Sequence, residues 1–193
     1  EMITIRHARL DEKQKTYEWL CLSDTACMHM GEPDYPENPV PDREQFDEDF
    51  EDFYYTGEGR RRGSVMIIEH EAEDGKIEEL GCLCYACFHL KPGRAELDIW
   101  LNTRKHCGNG YGTEAIRELV KYLRAEFGVV QFIIRPSVRN GRAVAAYRKA
   151  GFADAMNPRA AVEDFLLPEY RALYGGGDYG EEGTAVLTIT EAE

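Results

Sequence analysis

Two carboxylates, Glu96 and Asp98, sit two residues apart in the run Ala95 to Leu101. The run alternates Glu96, Asp98 and Trp100 against Leu97, Ile99 and Leu101, a period of two that marks a strand and puts both acids on one face. Paired carboxylates so placed can flank an ammonium group, bind it by charge and accept its proton. Close behind comes a glycine-rich turn, Gly108-Asn109-Gly110-Tyr111-Gly112, which opens into a helix carrying Ile116, Leu119, Val120, Leu123 and Phe127 on one face. Glycine lets the backbone curl without a Cβ clash, so successive N–H groups can point inward. With a helix N-terminus behind them they make an anion site, and a phosphorylated ligand is expected there. A third set follows an apolar run, Val129 to Pro136: Asn140, Ala143 and Tyr147 share one face of the next helix.

Two phosphate-binding patterns are excluded. A Walker loop ends in Gly-Lys-Ser/Thr, whereas this turn continues Gly-Tyr-Gly-Thr. A dinucleotide fingerprint needs G-x-G-x-x-G and an acid closing the second strand; here the third glycine comes one residue early and the strand ends in Arg135.

Strand, glycine turn, helix, strand and the run Asn140-x-x-Ala143-x-x-x-Tyr147-x-Lys149-x-Gly151-Phe152 together resemble the GNAT acetyltransferase superfamily. The asparagine-to-phenylalanine pattern matches in full. The pyrophosphate signature R/Q-x-x-G-x-G/A matches at Gly110 and Gly112 but has Cys107 in place of Arg or Gln. Within the superfamily the chain is most similar to the aminoglycoside 6′-N-acetyltransferase branch, through Leu97-Asp98-Ile99-Trp100, the strand-to-loop spacing and Pro136-Ser137 before Asn140. The resemblance implies an α/β (α+β) GNAT acyl-CoA N-acyltransferase fold: a mixed twisted sheet of about seven strands, about four flanking helices, and an extra helix inserted before the last strand. It implies one domain over residues 1–193, with acceptor-cleft helices at about 11–55, an acetyl-CoA-binding core at about 95–152 and the inserted helix at about 158–174.

It further implies that the strands part near Asp98 to Leu101 and Gln131 to Arg135. Pantetheine would then bind the freed backbone of Ile99, Trp100 and Leu101, one N–H there serving the thioester carbonyl. The diphosphate would lie on Cys107, Gly108, Asn109, Gly110, Tyr111, Gly112 and Thr113, with Arg104, Lys105 and Arg142 as phosphate contacts and Asn140, Ala143 and Tyr147 along the next helix. Asp98 is expected to be the base, with Glu96 as the alternative. An ordinary aspartate, near pKa 3.9, is far too weak to deprotonate an alkyl ammonium outright, so desolvation or a water relay must help. Tyr147 is expected to be the acid for the departing thiolate. The implied activity is acetyl transfer from acetyl-CoA, without metal, to a primary amine of a small cationic acceptor, aminoglycoside-like or polyamine-like. A protein or peptide N-terminus or lysine is the alternative acceptor; a non-catalytic acetyl-CoA-binding or interaction module is the alternative class.

Length and composition agree. A chain of 193 residues can bury roughly 70% of its unfolded surface. The net charge of −13 argues against nucleic acid or anionic membrane as a partner. No apolar run is long enough to span a bilayer, and six cysteines without framework spacing fit a reduced cytoplasm. Glu1 precedes Met2, the expected native start. A monomer or homodimer is expected.

In chain order, Met2 to His7 reads as a strand and Asp11 to Leu22 as a helix turning Trp19 and Leu20 inward. Asp24 to Pro41, with Pro33, Pro36, Pro39 and Pro41, reads as an extended loop. Asp42 to Tyr55 is helical by its spacing of Phe46, Phe50, Phe53 and Tyr54. The resemblance makes these helices the roof of the acceptor cleft, with Glu32, Asp34, Asp47 and Asp49 as candidates to hold ammonium groups. Gly57 to Gly63 is a solvent loop; Ser64 to Glu69 and Glu79 to Leu90 form a hairpin over Asp74-Gly75, with Cys82, Cys84 and Cys87 as small core residues. Pro158 to Tyr174 reads as one helix despite Pro168, and Thr184 to Thr190 as the last strand.

Overall fold

The computed structural model describes residues 2–30, 40–179 and 183–190. Among the described residues seven strands form one sheet: β1 (Met2–His7), β2 (Gly63–Glu71), β3 (Ile77–Ala86), β4 (Arg94–Leu101), β5 (Gln131–Ile134), β6 (Ala153–Asp154) and β7 (Leu187–Ile189), in the order β1-β2-β3-β4-β5-β7-β6. Every pairing is antiparallel except β4 with β5. The one parallel step requires a crossover, and a long helix between β4 and β5 makes it.

Helices among the described residues are α1 (Lys13–Tyr17), α2 (Ala26–Met30), α3 (Arg43–Asp49), α4 (Phe53–Thr56), α5 (Tyr111–Phe127), α6 (Gly141–Lys149), α7 (Pro158–Phe165) and α8 (Arg171–Tyr174). Alternation along the strands sorts side chains onto the two faces of the sheet, and the larger two of the three apolar clusters among the described residues lie one on each. Leu83, Tyr85, Ala95 and Leu97 meet Ile116, Leu119 and Leu123 of α5 and Tyr147 of α6 on one face. On the other, Val65, Ile67, Cys82, Cys84 and Trp100 meet Tyr54 and Tyr55, with Trp19 and Leu20 packed against them. Glu96 and Asp98 therefore share the Trp100 face of β4, as the period of two requires.

Several boundaries differ from the sequence expectations. The helix expected over 11–22 is divided into a 3-10 turn (Leu10–Glu12), α1 and one wider turn (Glu18–Leu22). The extended loop expected over 24–41 instead begins with α2; its prolines come later, and Pro33, Pro36, Pro39, Glu32 and Asp34 lie outside the described residues. The helix expected over 42–55 breaks after Asp49, where Phe50 leaves helical geometry and turns its ring to within 5.6 Å of Trp100. Tertiary packing overrides the periodicity there. β3 ends at Ala86, so Cys87 to Leu90 lie beyond the strand. Pro168 does end the inserted helix: α7 stops at Phe165, and Leu167 ahead of the proline is extended (φ −61°, ψ 143°).

β4 is held against β3 by a close approach at Gly81, which takes φ +149° opposite a bulge at Ile68/Glu69. A Cβ at Gly81 would lie 2.2 Å from the Trp100 carbonyl oxygen and 2.7 Å from Leu101 Cα, both backbone atoms. Gly81→Ala is expected to force β3 from β4 and destabilise the protein by about 3 kcal/mol. Urea unfolding measures it, and a loss within experimental error of zero would show that the strands yield freely.

Candidate functional site

The pairing of β4 with β5 runs only from Arg94↔Gln131 to Leu97↔Ile134, whereas β4 pairs with β3 out to Leu101. Asn102 N–H donates to the Leu80 carbonyl, so by alternation Ile99 and Leu101 turn their backbone groups toward the β5 side, past its last pair. Two cavities open there.

The first lies between Ile99, Trp100 and Leu101, the turn before α5, and α6. Gly108 and Gly110 take φ +80° and +82°, and Gly110 caps α5. Those left-handed values are what let the chain enter the helix with its first N–H groups unspent on side chains. Cys107, Gly108, Gly110, Tyr111, Gly112 and Thr113 line this cavity, as do Asn140, Arg142, Ala143 and Tyr147 from α6. Three of the expected contacts do not. Arg104 is turned away, its Nε donating to the Asp24 carbonyl at 2.7 Å and its N–H to Asp24 Oδ1 at 3.0 Å. Asn109 donates back to the Lys105 carbonyl at 3.0 Å, and neither it nor Lys105 lines the cavity. The side-chain cations there are Arg142 and Lys149. Lys149 belongs to the same motif as Tyr147 and was legible from it.

α2 and Thr25 just before it bring in residues to which no local motif points. Thr25, Met28 and His29 line the cavity, and Thr25 Oγ1 donates to the Leu101 carbonyl at 2.6 Å, occupying one acceptor on the open edge. Burial lowers His29 to about 4, so its ring is uncharged at neutral pH. Asn140 caps α6, accepting from Ala143 N–H, and donates to the Met28 carbonyl at 3.1 Å. Burial raises the Cys107 thiol, with nearby Arg142 opposing.

The second cavity, about 570 Å³, has Phe50, Phe53, Tyr54, Phe88, Trp100 and Tyr174 among its walls. Its acids are Glu48, Asp49, Glu51, Glu96 and Asp98. Asp47 is outside, paired with Lys13 and Arg43. His29, Ile99, Trp100, Asn140 and Tyr147 line both cavities, so the two meet at Tyr147.

The two strand carboxylates, alike in the sequence, differ in the fold. Glu96 accepts Arg135 Nε at 2.6 Å and Nη2 at 2.9 Å, and lies 2.8 Å from His89 Nε2. Burial would raise it, but the His89 hydrogen bond and the Arg135 charge together hold it at about 2. Among the described residues Asp98 has no such partner. Solvent reaches it through the cleft while protein surrounds its other sides, and this desolvation raises it to about 6. The Ile99 N–H, donating to Oδ1 at 2.8 Å, opposes the shift, and Glu96 adds to it. Tyr147 is buried, and burial followed by the Asp98 charge pushes its phenol well above the usual range. It keeps its proton at any working pH.

A family described as the Acetyltransferase (GNAT) domain matches residues 3–153. The chain belongs to the GNAT acetyltransferases. No curated protein sequence matches it. Among solved structures it is similar to the aminoglycoside acetyltransferase AAC(6')-Ib in complex with paromomycin and acetyl-CoA, at 19% identity over 97% of this chain and 93% of that one, TM-score 0.65. It is also similar to a spermidine N-acetyltransferase from Vibrio cholerae in complex with CoA and spermine (17%, 97% and 94%, TM-score 0.60). RimL, a ribosomal alpha-N-protein acetyltransferase in complex with coenzyme A, is a third (16%, 96% and 92%, TM-score 0.63). At these identities the likeness is one of fold.

Because Glu96 is depressed in the folded protein from 4.5 to about 2, its stabilisation is complete above pH 4.5 and fades as pH falls toward 2. The shift corresponds to roughly 3 kcal/mol at neutral pH. The stability difference between wild type and Glu96→Gln, followed by urea unfolding, is expected to be constant near neutrality and to shrink below pH 4.5. A gap that persists undiminished to pH 3 would show that the carboxylate charge is not what stabilises.

Proposed function

We propose that the chain transfers the acetyl group of acetyl-CoA to a primary amine of a small cationic molecule, both substrates being bound together. The observation that carries this is the meeting of two unlike cavities at Tyr147, with Asp98 on the wall of the second. One is a backbone cradle suited to a diphosphate and a pantetheine arm; the other is an aromatic cleft rimmed by carboxylates.

The first cavity fits the donor on three counts: left-handed glycines at a helix N-terminus, the Arg142 and Lys149 cations, and a β4 edge without a strand partner beyond Leu97. When bound, the donor supplies an activated thioester. Ile99 N–H is held by Asp98, so Leu101 N–H, on the same edge, is the donor left for the thioester carbonyl. In the second cavity Glu48, Asp49, Glu51 and Asp98 attract an ammonium group, while the Arg135 charge is taken up by Glu96.

Asp98 rather than Glu96 is the base. A carboxylate near 6 accepts a proton from an ammonium far more readily than one held near 2 by Arg135 and His89. Tyr147, which stays protonated, donates its O–H to the departing thiolate sulfur. Fixing both substrates in one frame supplies much of the rate. Aminoglycoside-like and polyamine-like amines remain the acceptor classes that the acidic cleft supports best. Thiol release from acetyl-CoA with a panel of aminoglycosides, polyamines and peptides tests the reading; donor binding without release for any amine would leave a binding module.

Asp98→Asn is expected to lower kcat by on the order of 10²-fold or more, and Tyr147→Phe by on the order of 10²-fold. Wild-type turnover in either variant would remove that residue from the chemistry. For wild type, kcat/KM for the amine should fall about tenfold per pH unit below pH 6 as Asp98 protonates, and level off above it until the acceptor's own ammonium titrates. A profile that rises unbroken from pH 5 to 9 would contradict a base of that pKa.

A further inference from the structure

The inserted segment after Pro158 is tied to the cleft by the same residues that set Glu96 and Asp98 apart. Arg135, bidentate on Glu96, sends its remaining Nη1 to the Tyr174 carbonyl at 2.8 Å. His89, bonded to Glu96 through Nε2, accepts the Leu167 N–H on its own carbonyl at 3.0 Å, and its ring stands 5.0 Å from that of Tyr174. Leu173 beside it is 72% exposed, so the apolar hold on α8 comes through Tyr174, which packs against the Leu90, Val162 and Phe165 cluster and the Phe88 ring. The chain turns tightly after Tyr174: a Cβ at Gly175 would lie 2.5 Å from the Arg171 carbonyl oxygen. Tyr174 lines the acceptor cleft together with Glu51 and Asp49; burial first, then Tyr170 and the charges of those two acids, raise its phenol.

We propose that the Glu96–Arg135–His89 cluster is a positioning device that fixes the inserted segment against the sheet, and that Tyr174, so held, is a specificity-determining wall of the acceptor cleft. Glu96 thereby acts through Arg135 and His89 instead of touching the amine. The specificity half rests on the amine-acetylation reading; the positioning half does not.

Hydrogen exchange on the full chain tests the positioning. In Glu96→Gln, the Leu167, Tyr170 and Gly175 amides, each hydrogen-bonded in the fold, are expected to exchange at least about tenfold faster while α5 amides stay as in wild type. If that variant loosens α5 as well, Arg135→Lys, which keeps a cation beside Glu96 but loses the reach to Tyr174, gives the same reading. Segment amides unchanged against an intact α5 would overturn the positioning role. Steady-state kinetics with spermine and kanamycin as probes test the wall. Tyr174→Ala should raise the amine KM about fivefold or more and change the ratio of kcat/KM between the two amines, with the acetyl-CoA KM within about twofold. An unchanged ratio would overturn the specificity role. Should wild type acetylate neither these amines nor any of the wider panel, the acetylation reading and the specificity half fall together, and the exchange result still decides the positioning half.

Discussion

The parting of β4 from β5 is the constraint on which the site depends. Backbone N–H and C=O groups inside a sheet are normally consumed by the next strand. Here the parallel ladder stops at Leu97↔Ile134 while β4 continues to Leu101 against β3. An edge is thus exposed in the middle of a seven-stranded sheet, a position where an extended ligand can take a strand's place. The cradle before α5 lies at one end of that edge and the aromatic cleft on its other side. Residues on either side of the last ladder pair, Glu96 and Arg135, bridge the two strands where they diverge.

That ion pair also sets the two strand carboxylates apart. Glu96 and Asp98 share a strand face and differ by two positions, so neither propensity nor patterning distinguishes them. Arg135 and His89 close around Glu96 and stabilise its charge; Asp98 meets a backbone N–H, the Glu96 charge and the desolvating walls of the cleft. One is locked as an anion and the other poised nearer neutrality, the separation of pKa values that assigns different work to like groups.

The signals legible in the sequence were local. The glycine turn, the apolar face of α5, the hairpin over Asp74-Gly75 and the run from Asn140 to Phe152 each declare themselves within a few residues, and each is in place. What escaped involves partners distant along the chain. Arg104 is a phosphate contact by its place before the glycine turn alone, but its partner is Asp24, 80 residues away. Thr25 and His29 reach the site because α2 forms where prolines a little farther on suggested an extended loop. Glu96 is paired with Arg135, 39 residues on. The break after Asp49 follows from Trp100, which draws Phe50 out of a helical pattern that its own spacing supports. Local codes carry elements, whereas pairings between elements set charge states.

Amide chemical shifts recorded during titration with acetyl-CoA test the parted-strand account most directly. The account predicts that Ile99, Leu101 and the amides of 108–112 shift together and saturably, while amides in the β1–β2 ladder on the far side of the sheet stay still. Saturable binding that leaves Ile99 and Leu101 unmoved would contradict it, because the donor would then be held somewhere other than along the open edge of β4.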